Sequence, residues 1–356
     1  MVPFHRSRSI LLVCACLATA VSVLGWDYEG HRTVNQLALA GLPANFPAFV
    51  REAANAERIA FLAGEPDRWR NVPDLPIKQS NGMDHYLDVE QLADAGIDAT
   101  KVTSFRYDFV AQFAAGRAAH PDKFPAVPES KNADHSREWP GFAPWAITEY
   151  YGKLKSAFSY LKVLEQAGTP GEVANAQSNI IYLMGVMGHY VGDCAQPLHT
   201  TMHHNGWVGP NPDGYSTWSG IHSWIDGGFL GKAGIKTADM LGRVTPAKPL
   251  ALAAQPDGRD PAFVAVMDYF MAQHTLVEPL YALEKKGVFK SEVAATSVEG
   301  RKFLEDRLLT GGNMLASVWL TAWKQAAPDT FLKAQLLKRQ MAAAPAQPPP
   351  KANKKS

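Results

Sequence analysis

Residues 172–193 form one long, strongly apolar run, with NIIYLMGVMGHYVGD as its second part, and its apolar positions recur at helical spacing. The run closes with His189 and Asp193, four positions apart and so on one face of a helix. The rest of the chain follows the same period. Residues 144–167, PWAITEYYGKLKSAFSYLKVLEQA, begin with Pro and carry apolar residues at three-to-four spacing. The stretches 28–41, 105–118, 261–286 and 312–338 read alike. Alternating strands and Asn-Gly hairpins are scarce. The pattern predicts an all-α fold, a single-domain multi-helix bundle, with Pro-rich loops over 64–84, 119–143, 202–216 and 244–260.

Composition narrows the function classes without naming one. The 356 residues are 46% hydrophobic and 19% charged, with a formal net charge of +1. This excludes a disordered chain, a basic protein that coats nucleic acid and an acidic tail protein. Three cysteines exclude a disulfide scaffold.

The two ends separate from the body. Arg6 and Arg8 precede the apolar segment ILLVCACLATAVSVL, which is too short to span a bilayer comfortably. Residues 1–25 therefore read as a signal peptide cleaved before Trp26, giving a secreted or periplasmic protein. Cleavage leaves 33 basic against 34 acidic residues and Cys194 as the single cysteine. Residues 26–341 are the expected catalytic domain. The segment 342–356, AAAPAQPPPKANKKS, lacks apolar periodicity and reads as a disordered tail.

The placement of the histidines carries the chemistry. His222 and Asp226 in IHSWID repeat the spacing of His189 and Asp193 in GHYVGD. Between the pairs, Gln196-Pro197-Leu198-His199 breaks the helix and delivers another imidazole. Upstream lie His31, Asp67 in GEPDRWR and His85 in MDHYLDV. Imidazole and carboxylate at such spacings suit zinc. Any one of these pairs alone would be an ordinary surface contact, core histidine or cap. The combination is what points to metal.

With these residues in place, the sequence resembles the superfamily of zinc-dependent bacterial phospholipases C and single-strand-specific secreted nucleases. The likeness runs in separated blocks from Trp26 to about residue 230, with HYVGDCAQPLH its most specific part and a weaker echo in RKFLEDRLLTGGNMLASVWLTAW. The resemblance implies an all-helical enzyme around a trinuclear zinc cluster. It assigns Asp67, His85, His189 and Asp193 to one zinc and His199, His222 and Asp226 to a second. A third would take the free α-amine and carbonyl of Trp26 together with His31, with Asp193 bridging to the first. Processing before Trp26 would then create a ligand, because a free amine binds metal and an amide nitrogen does not. Three Zn²⁺ would outweigh the charge of the three aspartates, which favours a bridging hydroxide and an anionic substrate. The implied reaction is hydrolysis of a phosphodiester by attack of a zinc-bound hydroxide on phosphorus. Asp67 would orient the hydroxide, and Arg70 matches the family's phosphate-contacting Arg.

The substrate branch turns on finer features. The short gap from Trp26 to His31, Asp226 as the last ligand and the spacing of His199 to His222 lean toward the nucleases, and so toward single-stranded nucleic acid or nucleotides. Tyr86 then matches a base-stacking aromatic and Asp88 an acid that accepts a bond from a base edge. The nuclease Gly-Gly-Asn motif is absent. His203-His204-Asn205-Gly206 stands in its region, with Asn205 as the substitute. The segment GIHSWIDGGF has a phospholipase flavour, so a phospholipase C acting on phospholipid head groups is the alternative within the same chemistry. The span from His85 to His189 is longer than in the family, so an insertion near 92–140 is expected to reshape the cleft. A secreted zinc-binding protein without catalysis is the alternative of a different class. No obligate protein partner is implied.

Overall fold

The computed structural model describes residues 26–343. The expected signal peptide, and all but the first two residues of the expected tail, lie outside the described residues. Helices dominate, and Leu87 and Gly141 form an isolated antiparallel bridge. The first half holds α1 (Tyr28–Gly41), α2 (Ala53–Leu62), α3 (Glu65–Arg70), α4 (Leu75–Gly82), α5 (Val89–Asp94) and α6 (Arg106–Ala119). The long pair α7 (Ala143–Ala167) and α8 (Pro170–Asp193) follows. After a loop come the short helices α9 (Ile221–Ser223), α10 (Leu230–Ala233) and α11 (Thr237–Met240). The chain then forms α12 (Pro261–His274), α13 (Val277–Lys285), α14 (Val298–Gln325) and α15 (Thr330–Ala343). None of the described helices is long and apolar enough to cross a membrane.

Helix α8 is the axis of the fold. It packs against α7, α2, α14 and α1, and α1 also lies along α14. Its start is set locally. Thr169 Oγ1 accepts from the Glu172 N–H, Glu172 reaches back to the Thr169 N–H, and Pro170 occupies the first turn. Its far end is enclosed: every residue from Met184 to Asp193 is buried. An imidazole and a carboxylate at such an end cannot be solvated, so they must find partners inside the protein.

Glycines in that buried end allow the neighbours to close in. A Cβ on Gly188 would stand 1.6 Å from Asn35 Oδ1, and one on Gly192 would stand 3.3 Å from His31 Nδ1. Asn35 cannot yield, because its Nδ2 donates to the carbonyls of Ile59 at 2.7 Å and Gly185 at 3.0 Å. Gly188→Ala is therefore expected to destabilise the protein by about 3 kcal/mol through overpacking and loss of the Asn35 bonds. Urea unfolding would read the loss as a lower midpoint, and an unchanged midpoint would contradict this packing.

Several sequence boundaries need correction. The 64–84 segment is not a loop, since it contains α3 and α4, whose Pro66 and Pro76 lie in first turns. Proline there opens a helix, because its missing N–H belongs to the unpaired first turn. The 261–286 stretch divides into α12 and α13. A continuous helix would put Pro279 in its interior, whereas a restart at Val277 puts it in a first turn. The 312–338 stretch also divides: α14 begins much earlier, capped by Ser297, and ends before Pro328, after which α15 runs to Ala343. The polar first half of α14 hid its start from a search for apolar periodicity.

Candidate metal centre

Separate elements bring the expected ligands to one buried place. Helix α1 supplies His31, α3 supplies Asp67, a 3₁₀ turn after α4 supplies His85, and the end of α8 supplies His189 and Asp193. Past Asp193, Pro197 opens a 3₁₀ turn that carries His199. His222 lies in α9, and Asp226 in the π-helical turn Trp224–Phe229 that continues it. The pair is not in a regular α-helix, yet His222 Nε2 lies 2.9 Å from Asp226 Oδ2. A π-turn at such a point is a common way to re-aim a side chain.

Three buried groups of ligand atoms result, each able to hold a metal ion: His31, Asp67 and His189; His85, His189 and Asp193; His199, His222 and Asp226. Distances within them fit a shared cation. His85 Nδ1 lies 2.9 Å from Asp193 Oδ2 and 2.9 Å from His189 Nε2. Asp67 Oδ1 lies 3.9 Å from His85 Nδ1 and 3.8 Å from His189 Nε2. His199 Nε2 faces His222 Nε2 at 3.0 Å. Two ligands bound tetrahedrally at the usual zinc distances would stand about 3.3 Å apart.

The tautomers explain why a cation is called for. His189 Nδ1 donates to the Ala63 carbonyl at 2.6 Å, and His199 Nδ1 donates to the His85 carbonyl at 2.9 Å. In the neutral rings, each Nε2 therefore carries a lone pair aimed at the cluster. His31 stacks on His189 with centroids 3.7 Å apart, and its Nε2 lies 3.4 Å from Asp193 Oδ1. Both His31 nitrogens and Asp193 Oδ1 are buried without a hydrogen bond. Unpaired polar atoms buried together in one spot are costly, and a cation would join the free ring nitrogen to the carboxylate oxygen.

The field agrees. Burial, reinforced by His189, pulls His31 down to about 3. Burial and the Arg70 charge pull His85 down to about 3. Burial opposes charge on Asp193, but His199, His189 and His31 outweigh it and hold the carboxyl well below its ordinary range. Asp226 is lowered in the same way, against burial, by His222 and His199. His31 and His85 are thus held neutral beside ionised carboxylates, the states that metal binding requires, while Asp193 and Asp226 raise His199 against its burial.

Trp26 is fully buried, and its indole Nε1 donates to the Gly192 carbonyl at 2.9 Å, one residue from Asp193. The next residue ties to the other group: the Asp27 N–H donates to the Asp226 carbonyl at 3.2 Å. The first described residues therefore bridge the end of α8 and the π-turn.

A cavity of about 570 Å³ adjoins His199 and His222 and is also lined by Arg70, Tyr86, Asp88 and Asn205. Every non-ligand residue singled out from the sequence thus reaches one cavity. Arg70 Nε lies 3.0 Å from Asp67 Oδ1, so it links the cavity to the ligand cluster. Tyr86 is half-buried, with its ring 6.5 Å from that of His204. Asp88 is buried, and burial together with Glu90 pushes its carboxyl up to about 8. Asn205 Oδ1 is buried without a hydrogen bond.

Sequence reasoning missed other contributors. Gln196 donates from Nε2 to Asp226 Oδ1 at 2.6 Å while its Oε1 accepts from the Leu198 N–H at 2.6 Å. It holds the carboxylate from behind, as an outer partner of a metal ligand commonly does. A buried-context amide between Ala195 and Pro197, just past the His189–Asp193 pair, was the available signal. His204, Arg137 and Trp139 also line the cavity. The last two come from the 120–142 connection between α6 and α7, which therefore forms part of the cleft wall. No protein-family model matches this chain, and no curated protein matches it.

Proposed function

We propose that this chain is an exported zinc-dependent phosphodiester hydrolase that acts on single-stranded nucleic acid or nucleotides. One observation carries the reading: His199 and His222 of the buried His199–His222–Asp226 group line the same cavity as Arg70, and Arg70 also contacts Asp67 of the neighbouring ligand group. Imidazole and carboxylate donors without thiolate suit catalytic zinc better than a closed structural site. Asp67, His85, His189 and Asp193 would hold one ion and His199, His222 and Asp226 another. Cleavage before Trp26 would free an amine to join His31 and Asp193 around a third. Such ions supply Lewis acidity and a water that ionises near neutral pH.

The remaining steps belong to side chains. Asp67, held by Arg70, would orient the attacking water. The Arg70 guanidinium binds a phosphoryl oxygen. Tyr86 offers an aromatic face to a base, while Asp88 and Asn205 offer polar atoms to its edge. Beside the apolar Val127, Leu198, Met202 and Val208, the lining thus carries groups for a phosphate, a base face and a base edge, which favours a nucleotide.

The test compares the metal-loaded protein on denatured DNA, RNA and phosphatidylcholine micelles. Nucleotide release without diglyceride is expected. Diglyceride alone would transfer the assignment to a phospholipase C. Turnover of none of them, with the metal sites full, would leave a zinc-binding protein without catalysis.

A further inference from the structure

The 120–142 connection puts Arg137 on the cavity wall beside Trp139. The backbone on both sides of Arg137 is pinned. Its own N–H donates to Asn132 Oδ1 at 3.0 Å, and Asn132 Nδ2 donates to Glu138 Oε1 at 3.0 Å. Asp134 Oδ1 accepts from the Ser136 N–H at 3.1 Å and Oγ at 2.8 Å. Arg117 Nη1 donates to the Glu138 carbonyl at 2.9 Å. His135 takes the left-handed conformation, φ 55°, which turns the chain there. Trp139 packs toward Phe113 and Phe142, so the wall behind Arg137 is fixed by the core.

The Arg137 guanidinium itself is exposed and, among the described residues, makes no ion pair or hydrogen bond. Its charge is felt at Tyr86 and at His204, both of which also line the cavity. The lining holds two arginines, Arg70 and Arg137, against one carboxylate, Asp88. Burial favours the neutral form of that carboxylate at pH 7. An unpaired guanidinium carried on a pinned stretch of backbone at the cavity wall suits an anion. Arg70 already sits against Asp67 at the metal end, so Arg137 is free for a different phosphate. The cavity is large enough for a whole small molecule rather than for a phosphoryl group alone.

We propose that Arg137 clamps a second backbone phosphate, flanking the one to be cleaved, and so makes the protein select oligonucleotides over isolated diesters. The inference rests on the phosphodiesterase reading for the bond that is cut, but its test is a binding measurement. The metal-loaded protein is titrated into a fluorescein-labelled, phosphorothioate-linked hexathymidylate at several salt concentrations, and anisotropy is followed. Arg137→Ala is expected to weaken binding about tenfold and to flatten the slope of log affinity against log salt by about 0.7. Arg137→Lys should recover part of the affinity. Lys101→Ala, which removes an exposed cation away from the cavity, should bind as the wild type does. Equal affinity and slope in Arg137→Ala and wild type would overturn the proposal, as would equal losses in Arg137→Ala and Lys101→Ala. A wild type that does not bind the oligonucleotide would overturn it too. Turnover of bis(4-nitrophenyl) phosphate by the wild type judges the phosphodiesterase reading separately. Arg137-dependent binding without that turnover would sink only the hydrolase assignment.

Discussion

Asp193→Asn is expected to bind at least one metal ion fewer per chain and to lose phosphodiesterase activity on the order of 10³-fold. The carboxylate lies 3.4 Å from His31, 2.9 Å from His85, 3.2 Å from His189 and 3.5 Å from His199. No other carboxylate in the cluster touches so many imidazoles, so its charge serves more than one ligand group. Asn keeps the shape and removes the charge, which separates electrostatics from packing. Metal analysis, turnover and circular dichroism on one preparation would decide the matter. Full metal and full activity in a folded variant would refute a bridging role. Asp268→Asn, on an exposed position of α12, is the matched control and should change neither quantity.

Removing the metal should lower the melting temperature by on the order of 10 °C, since an ion held a thousandfold above its dissociation constant stabilises by about 4 kcal/mol. The metal-free protein should then show a definite pH dependence. His31 and His85 titrate near 3 when folded and near 6.5 when unfolded. The unfolded chain therefore takes up protons that the folded chain refuses. Stability is fully present above pH 6.5 and is lost as pH falls toward 3, at up to about 1.4 kcal/mol per pH unit for each ring. His199 works the other way. Burial opposes its charge, but Asp193 and Asp226 raise its pKa, so its contribution holds below pH 6.5 and fades as pH rises through the folded value. Burial also lowers His222, so three lowered rings against one raised ring leave a net loss toward acid. Bound metal should keep the same sign, because protons compete for the same nitrogens. Melting curves from pH 3 to 8, with and without chelator, would measure it. A profile flat below pH 6.5, or a chelator without effect, would argue against a buried imidazole cluster.

The long elements were legible because their signals are local. Helix α7 carries apolar periodicity from Pro144 onward, and the second half of α8 is strongly apolar. The same method failed where the signal was not apolar periodicity, as at the polar start of α14, or where proline had two readings, as at Pro66, Pro76 and Pro279. The site shows the same division. His189 with Asp193, and His222 with Asp226, announce themselves by spacing. His31, Asp67 and His85 have no local relation to those pairs. Nothing beside Arg137 in sequence marks a cavity wall, and the polar Gln196 before Pro197 does not say which side chain it supports.

What the sequence determined by itself was the helical class, the two imidazole–carboxylate pairs and the set of residues able to bind a cation. Periodicity and side-chain chemistry are properties of neighbours along the chain, and they survive without a fold. Only the tertiary structure decided that ligands from α1, α3, the turn after α4, α8 and the π-turn meet within bonding range of common points, and that they meet where water is excluded. Convergence depends on how closely α1 and α2 approach α8 across its glycines. Burial then fixes the protonation states, and neither quantity is written in any local stretch of residues.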